Sequence, residues 1–268
     1  MAGLWMGSGW KMNLLTADVE AFCTELRHAL LETSLSVNVF VVPSFPYLNM
    51  ARELLAGTAV HIAAQNMHWE PAGAYTGEVS PAMLQDIGVS IVELGHHERR
   101  TLFHESDEQI NCKVLAALMH GLRPLICVGE SEPVNHDAAT ERIGAQVRAA
   151  LQGVSPAQLA AVLLAYEPGW AIGTGGNPAA PDHVVEMHIA MRETITGLYD
   201  RRMAEAVPIL YGGSVRAANA GAYLREPAVD GLFVGRAARR AADFMQLIQL
   251  AESLRGGEQS SSDEAASR

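Results

Sequence analysis

The sequence predicts an α/β protein folded as a single (β/α)8 barrel. Eight short runs rich in Val, Ile, Leu and Ala recur along the 268 residues, as expected for strands that are buried on both faces of a parallel sheet. Amphipathic segments separate these runs, and eight strand–helix alternations in about 250 residues are typical of a closed barrel. The alternative is an open, doubly wound sheet. That fold would carry G-x-G-x-x-G after its first strand, where this chain reads GSGWKM.

The predicted elements follow one another from end to end of the barrel. The strands are expected at 4–10, 37–43, 60–66, 89–95, 123–129, 161–167, 207–213 and 229–235. Segments 18–33 and 181–202 carry apolar residues at helical spacing, and Pro181 suits the first turn of a helix. We therefore predict one barrel domain over residues 1–254. The polar segment 255–268 lacks apolar periodicity and is predicted to be a disordered tail.

Composition narrows the class of protein. A formal net charge of −11 argues against a nucleic-acid binder and against adhesion to anionic membranes, because both need a basic surface. The three cysteines, Cys23, Cys112 and Cys127, are scattered, which suits free thiols in a reducing cytosol. We see no signal peptide and no apolar run near the ~18 residues of a membrane span. The expected location is the cytoplasm.

Polar and glycine-rich residues follow several predicted strands. Lys11 follows the first strand, His96 and Glu98 follow the fourth, Glu167 ends the sixth, Ser214 follows the seventh, and Gly235 and Arg236 follow the eighth. Singly, each has an ordinary explanation as a solvated charge or a turn residue. In a closed barrel, however, the active site forms where the strands end. These residues are therefore expected to meet at one rim.

Their chemistry predicts proton transfer on a small phosphorylated sugar. Backbone N–H groups of tight glycine turns can hold a phosphate. Glu167 could remove a proton from a carbon next to a carbonyl, His96 could hydrogen-bond the oxygen that becomes negative, and Lys11 could supply positive charge. The ten histidines show no ligand spacing such as H-E-x-x-H. We predict neither a metal ion nor a cofactor.

The stretch after Glu167 has the composition of a hinged lid. Apolar residues lie between glycines, so the segment could close over the site and exclude water. The predicted lid comprises Pro168, Gly169, Trp170, Ala171, Ile172, Gly175 and Gly176. An ordinary loop is the alternative.

Eight motifs in this chain resemble the triosephosphate isomerase family in their order and spacing, over nearly the whole chain to about residue 250. They are GWKMN (9–13), AQN (64–66), TGEVSP (76–81), GHHERR (95–100), CVGE (127–130), AYEPGWAIGTG (165–175), LYGGSV (210–215) and DGLFVG (230–235). Together these motifs are highly specific.

The resemblance implies an isomerase that interconverts dihydroxyacetone phosphate and glyceraldehyde 3-phosphate through an enediolate, in glycolysis and gluconeogenesis. By the established mechanism of that family, Glu167 is the base, His96 a neutral electrophile and Lys11 an electrostatic stabiliser that Glu98 supports. Backbone amides of Gly173, Ser214 and Gly235 would hold the phosphate. The resemblance also implies a homodimer, in which a loop enters the partner subunit beside the active site. That loop contains Tyr75, Thr76, Gly77 and Glu78.

Four positions depart from the family pattern. Gly9 replaces an asparagine, and His97 replaces a serine that helps to hold the base when the lid is open. Arg236 replaces a glycine; it can still offer its backbone N–H to the phosphate and its guanidinium could add positive charge there, but it would be strained if the position needs positive φ. Gly169 replaces a β-branched hinge residue, which should loosen the lid.

These departures suggest a divergent branch of the family. AQNMHW (64–69) and GLFVGRAA (231–238) are similar to the branch that isomerises L-erythrulose 1-phosphate in erythritol breakdown, and Gly9 could make room for a fourth carbon. Two alternatives from other classes stay open. One is a barrel that binds phosphorylated ligands without useful catalysis, and the other is a metal-dependent barrel enzyme.

Overall fold

Eight parallel strands close into a barrel in sequence order, with β1 hydrogen-bonded to both β2 and β8. The computed structural model describes residues 3–31, 33, 35–173 and 176–266, and residues 255–266 by their backbone alone. The strands are β1 (Trp5–Gly9), β2 (Asn38–Val42), β3 (His61–Ala64), β4 (Ile91–Leu94), β5 (Arg123–Val128), β6 (Leu163–Tyr166), β7 (Ile209–Tyr211) and β8 (Gly231–Val234). The predicted single (β/α)8 barrel is confirmed, with each strand shorter than the apolar run that predicts it.

Helices cover the outside of the barrel. In the described chain they are α1 (Thr16–Leu31), α2 (Leu48–Leu54), α3 (Pro81–Asp86), α4 (His97–Leu102), α5 (Asp107–Met119), α6 (His136–Ala150), α7 (Pro156–Leu159), α8 (Pro181–Leu198), α9 (Arg201–Ala206), α10 (Ala217–Leu224) and α11 (Ala241–Ala266). The amphipathic segment 181–202 is not one helix, because the backbone leaves the helical region at Tyr199 (φ −129°, ψ −105°). The Asp200 side chain then accepts the Met203 N–H at 2.7 Å and begins α9.

The C-terminal helix α11 continues to Ala266. The disordered tail over residues 255–268 stays a prediction, since the structure describes residues 255–266 by their backbone alone. Once a packed helix exists, each further residue adds one hydrogen bond without needing buried contacts of its own. The packed part of α11 includes Phe244, Ile248 and Ala251, which are buried against the barrel.

Inward-facing apolar side chains fill the barrel. They come from alternating strand positions and are Trp5, Phe40, Val42, Ala63, Ile91, Leu125, Cys127, Leu163, Ala165, Leu210 and Phe233. Such alternation is how a barrel of eight strands becomes a packed core with its open cleft at the strand ends. A separate, larger apolar layer lies between the strands and the helices.

The chain has two lysines, and they occupy different environments. Lys113 is buried in α5, where its Nζ donates to Glu105 Oε1 at 2.6 Å and to Asn66 Oδ1 at 2.9 Å. Burial lowers the pKa of Lys113, and the hydrogen bond and charge of Glu105 oppose that shift. Lys113 therefore belongs to a buried ion pair that ties α5 to the end of β3, and Lys11 is the lysine at the rim.

Cys23 and Cys127 are buried free thiols, and Cys112 is an exposed one. Over the described residues, no helix combines the length and the apolar character that crossing a membrane requires.

Candidate active site

A cavity of about 310 Å³ opens where the strands end. It brings together most of the site residues that the sequence predicts, although they are far apart along the chain. The predicted residues that line it are Gly9, Lys11, His96, Glu98, Glu167, Ile172, Gly173, Ser214, Gly235 and Arg236. Eight further side chains line the cavity, and none of them is a predicted site residue; they are those of Trp10, Asn13, Glu93, Val215, Arg216, Phe233, Ala237 and Arg239.

Lys11 is held in a backbone conformation that a lysine rarely adopts. Its φ is +52°, in the left-handed region that disfavours residues with a Cβ. Two side chains fix it there, since the Lys11 carbonyl accepts from Ser44 Oγ at 2.9 Å and from Gln65 Nε2 at 2.8 Å. The Lys11 Nζ donates to Glu98 Oε1 at 2.7 Å. The backbone conformation thereby orients the Lys11 side chain, and the Glu98 carboxylate holds its ammonium group in place.

His96 is held as a neutral ring with its proton facing the cavity. It caps α4, and its Nδ1 accepts the Glu98 N–H at 3.1 Å. That hydrogen bond needs an unprotonated Nδ1, so the neutral ring carries its proton on Nε2. Burial lowers the pKa of His96 and outweighs the nearby Glu167 carboxylate, which acts in the opposite direction. The Nε2 atom lies 3.5 Å from Glu167 Oε2.

Glu167 presents a carboxylate oxygen without a hydrogen-bond partner. The side chain is 4% exposed. Its Oε2 is buried, and no described protein group donates a hydrogen bond to it. A buried polar atom in this state indicates a ligand or a reactive role.

Glu93 is an acidic residue of the site that sequence reasoning missed. It lies on β4, is 6% exposed, and has Oε1 4.0 Å from His96 Nε2. Burial raises the pKa of Glu93 well above its usual value, and the neighbouring Glu167 raises it further. The available signal was a single acid inside the apolar strand VSIVELG.

Glu93, His96 and Glu167 are also the described residues that could hold a metal ion, because their donor atoms lie within 4.8 Å of one another. The prediction of catalysis without a metal stays a prediction. So does the assignment of catalytic roles to single residues.

The wall formed by the ends of β7 and β8 suits an anion. Arg216, Arg236 and Arg239 line it, which gives this acidic protein a local concentration of positive charge. Within the described chain, no backbone hydrogen bond uses the N–H groups of Ser214, Gly235 and Arg236. The expected strain at Arg236 is absent, because this residue starts a 3-10 turn (Arg236–Ala238) and is not among the residues with positive φ.

Residues 174 and 175 lie outside the described residues, and Gly175 is part of the predicted lid. The chain is anchored on both sides of this gap. Before the gap, Gly169–Ala171 form a 3-10 turn, and Trp170 Nε1 donates to Glu130 Oε1 at 2.9 Å. After it, the Ala179 N–H donates to the Tyr211 hydroxyl at 3.1 Å. The Ser214 hydroxyl donates to the Ala171 carbonyl at 2.7 Å, which connects the lid to the end of β7.

Two departures from the family pattern, His97 and Gly169, prove to be one packing arrangement. The imidazole of His97 lies against the backbone of Gly169, so that a Cβ at this position would sit 2.7 Å from His97 Nδ1. The Gly169 N–H also donates to the Glu130 carbonyl at 2.8 Å. The expectation that Gly169 loosens the lid stays a prediction. In this conformation the glycine makes room for the His97 ring, which covers the hinge.

Gly9 is compensated in a similar way. A Cβ at Gly9 would lie 3.0 Å from two atoms of the Phe233 ring, and both residues line the cavity. The expectation that Gly9 leaves space for a fourth carbon stays a prediction, and the Phe233 ring takes up the volume directly beside Gly9. The Phe233 ring lies in turn beside that of Phe40, with centroids 5.5 Å apart and planes tilted by 32°.

We expect Gly169→Ala to destabilise the protein and His97→Ser to relieve the effect. The added methyl group would overlap the His97 ring, and overpacking of this kind costs roughly 1–3 kcal/mol. The double variant removes the ring and should recover most of that loss. Urea unfolding of the wild type, both single variants and the double variant measures this coupling. Additive effects of the two substitutions would contradict it.

Comparison with known proteins agrees with this geometry. The family model described as triosephosphate isomerase matches residues 4–251. The chain is 43% identical over 247 residues to the L-erythrulose-1-phosphate isomerase of Rhizobium etli, covering 91% of each chain. It is 42% identical over 244 residues to the triosephosphate isomerase of a Roseiflexus species, covering 91% of this chain and 95% of the relative. The triosephosphate isomerase of Caldanaerobacter subterraneus is 43% identical over 244 residues, with 91% and 97% covered. The chain therefore belongs to the triosephosphate isomerase family of sugar-phosphate isomerases.

Proposed function

We propose that this protein interconverts short phosphorylated sugars by moving a proton between adjacent carbons through an enediolate. The observation that carries the proposal is the pairing of an unpartnered carboxylate oxygen on Glu167 with the Nε2–H of a neutral His96, 3.5 Å away. A base and a hydrogen-bond donor at this spacing can act on a carbon and on its neighbouring oxygen in one small molecule.

The phosphate would bind at the ends of β7 and β8. Three backbone N–H groups there lack partners in the described chain, and three arginines line the same wall. Backbone donors and fixed positive charge hold a dianion in one orientation. The carbonyl end of the substrate would then lie between Glu167 and His96.

The proton transfer needs only groups that this chain supplies. Glu167 takes a proton from the carbon next to the carbonyl, and the electron pair of that C–H bond moves to form the enediolate. The negative charge develops on the carbonyl oxygen, where His96 Nε2–H donates a hydrogen bond and Lys11 supplies positive charge. The neighbouring hydroxyl oxygen gives up its proton and the former carbonyl oxygen gains one, an exchange that His96 Nε2 can relay. Glu167 then returns the carbon-bound proton to the former carbonyl carbon, so that the carbonyl group moves to the carbon that was deprotonated. The lid, whose Ile172 and the adjacent Gly173 line the cavity, would keep water away from the enediolate when it closes.

Two substrates fit this chemistry. Dihydroxyacetone phosphate and glyceraldehyde 3-phosphate are the pair implied by the family. L-Erythrulose 1-phosphate is the second candidate, and the relatives named for it are as similar to this chain as those named for triose phosphate. The polar side chain of Glu93 in the cavity favours the second candidate, because a triose phosphate leaves fewer hydroxyl groups to bind.

We also propose that the protein is a homodimer. Large exposed apolar side chains occur in the loops that follow four consecutive strands. They are Met12 and Leu15 after β1, Phe45 after β2, Tyr75 after β3, and Leu102 and Phe103 after β4. Because consecutive strands are neighbours in the barrel, these loops share one half of the rim. An apolar surface of this kind is typical of a protein interface, and Tyr75, Thr76, Gly77 and Glu78 would enter the partner.

We expect Glu167→Ala to lower kcat by about 10²-fold or more, the usual scale for loss of a general base. Turnover of both candidate substrates should be measured with a chelator present, so that no divalent cation contributes. Glu132→Ala, at an exposed loop position outside the cavity, is the matched control. Unchanged turnover in the Glu167 variant would favour a different catalytic group, and an inactive wild type would favour a binding protein or a metal-dependent enzyme.

Lys11→Arg tests whether a positive charge at this position is enough for catalysis, whatever the shape of the group that carries it. We expect kcat/KM to fall by about 10²-fold with the melting temperature nearly unchanged, because a planar guanidinium cannot occupy the place of a compact ammonium. Lys11→Met should be at least as slow. Near-normal rates in the arginine variant would contradict the proposed role of Lys11.

Sedimentation of the purified protein tests the dimer. We expect twice the mass of the chain for the wild type and a lower mass for Tyr75→Glu, since a charge would be buried in the interface. Leu198→Glu is matched in exposure, 43% against 45% for Tyr75, and should stay dimeric. A monomeric wild type, or equal effects of the two substitutions, would count against this surface.

A further inference from the structure

Glu93 is a buried carboxyl that faces the cavity and is weakly held by the protein. It follows Ile91 by two residues and lies beside Leu125 in the register of β4 and β5, and both of these residues face into the barrel. Within the described chain it makes no hydrogen bond, and its ion-pair partner, His96 Nε2, is 4.0 Å from Oε1. A carboxyl at 6% exposure with so distant a partner is costly. An aliphatic residue would fill the position at lower cost, so the acid calls for a ligand.

The barrel places Glu93 across from the phosphate wall. The eight strands run in sequence order around a closed ring, so β4 lies four strands from β8 in either direction. Ser214, Gly235 and Arg236 belong to the ends of β7 and β8. A substrate whose phosphate is held there extends its other end toward β3 and β4. Glu93 therefore faces the part of the substrate that is remote from the phosphate.

The chemistry of the Glu93 carboxyl suits an alcohol. A carboxyl group accepts a hydrogen bond from a hydroxyl group, and in its protonated form it also donates one. Burial and the neighbouring Glu167 both raise the pKa of Glu93, which favours the protonated form.

We propose that Glu93 binds a hydroxyl group at the end of the substrate remote from the phosphate and thereby selects a sugar phosphate longer than a triose. This inference rests on the proposed sugar-phosphate isomerase function and names the substrate class of that same cavity. Phe233 supplies the apolar side of the subsite and Glu93 the polar side.

Two other roles for Glu93 predict different behaviour. If the role of Glu93 were purely structural, its substitution would change the affinity for all ligands by the same factor. A carboxyl that acts only on the proton of Glu167 would slow both substrates by the same factor, because that proton is common to both. If Glu93 binds a hydroxyl group that only the longer ligand carries, its substitution should change the ratio of the affinities for the two ligands.

The test compares two unreactive ligands, glycerol 3-phosphate with three carbons and erythritol 4-phosphate with four. Calorimetric titration should show that the wild type prefers the four-carbon ligand by about 10-fold or more, and that Glu93→Leu loses most of this preference. Glu93→Gln keeps a donor and an acceptor in nearly the same shape and should retain the preference within about 3-fold. The ratio of kcat/KM for L-erythrulose 1-phosphate and glyceraldehyde 3-phosphate should shift in the same direction.

Ile91→Val is the matched control, since Ile91 faces inward on the same strand but does not line the cavity; its ligand ratio should equal that of the wild type. Three results would overturn the assignment. They are a wild type that binds both ligands equally, a preference for the four-carbon ligand that Glu93→Leu leaves unchanged, and a preference that Glu93→Gln loses as fully as Glu93→Leu. Because the polyol phosphates cannot react, binding decides the role of Glu93 even if turnover fails. Absence of turnover on both sugars would contradict the proposed function separately.

Discussion

Closure of the sheet, with β1 paired to β8, is the constraint on which the site depends. In an open sheet, the carboxyl ends of β4 and β8 would lie far apart along the same side of the sheet. In the ring, the same residues surround a single cavity, and Lys11, His96 and Glu167 come together from three different strand ends. The closed core is rigid because inward side chains fill it. Its stability supports the strained backbone at Lys11, which two hydrogen bonds to its carbonyl then fix.

Departures from a family pattern are better understood as pairs than as single substitutions. His97 and Gly169 are far apart in sequence and look like two independent losses, one of a serine and one of a hinge residue. In space they form one contact, in which the ring takes the volume that a side chain at position 169 would need. A Cβ at Gly9 would likewise meet a ring from another strand, that of Phe233. Close packing explains the pairing, because a larger side chain is accommodated only where a neighbour becomes smaller.

The sequence was sufficient to predict all eight strands, since most of them are nearly continuous apolar runs, and most of the rim residues, since each lies where a strand ends. Three kinds of feature were beyond it. The helix break at Tyr199 depends on one backbone conformation and on a cap at Asp200. The volume beside Gly9 depends on a side chain from another strand. Glu93 lies within a strand, so a search for functional residues at strand ends does not find it. A lone acid in an apolar strand is nevertheless a recognisable anomaly.

The two buried carboxyls divide their roles by environment. Glu93 and Glu167 lie in the same pocket, and the protein cannot keep both ionised at low cost. Burial and the charge of Glu167 act on Glu93 in the same direction, raising its pKa well above its usual value. Both effects favour a proton on Glu93, whose nearest charged partner in the described chain is His96 Nε2 at 4.0 Å. The Glu93 carboxyl and the Phe233 ring line the same cavity, and this pairing of a polar and an apolar wall is the geometry from which we propose that a longer sugar phosphate is bound through its hydroxyl groups.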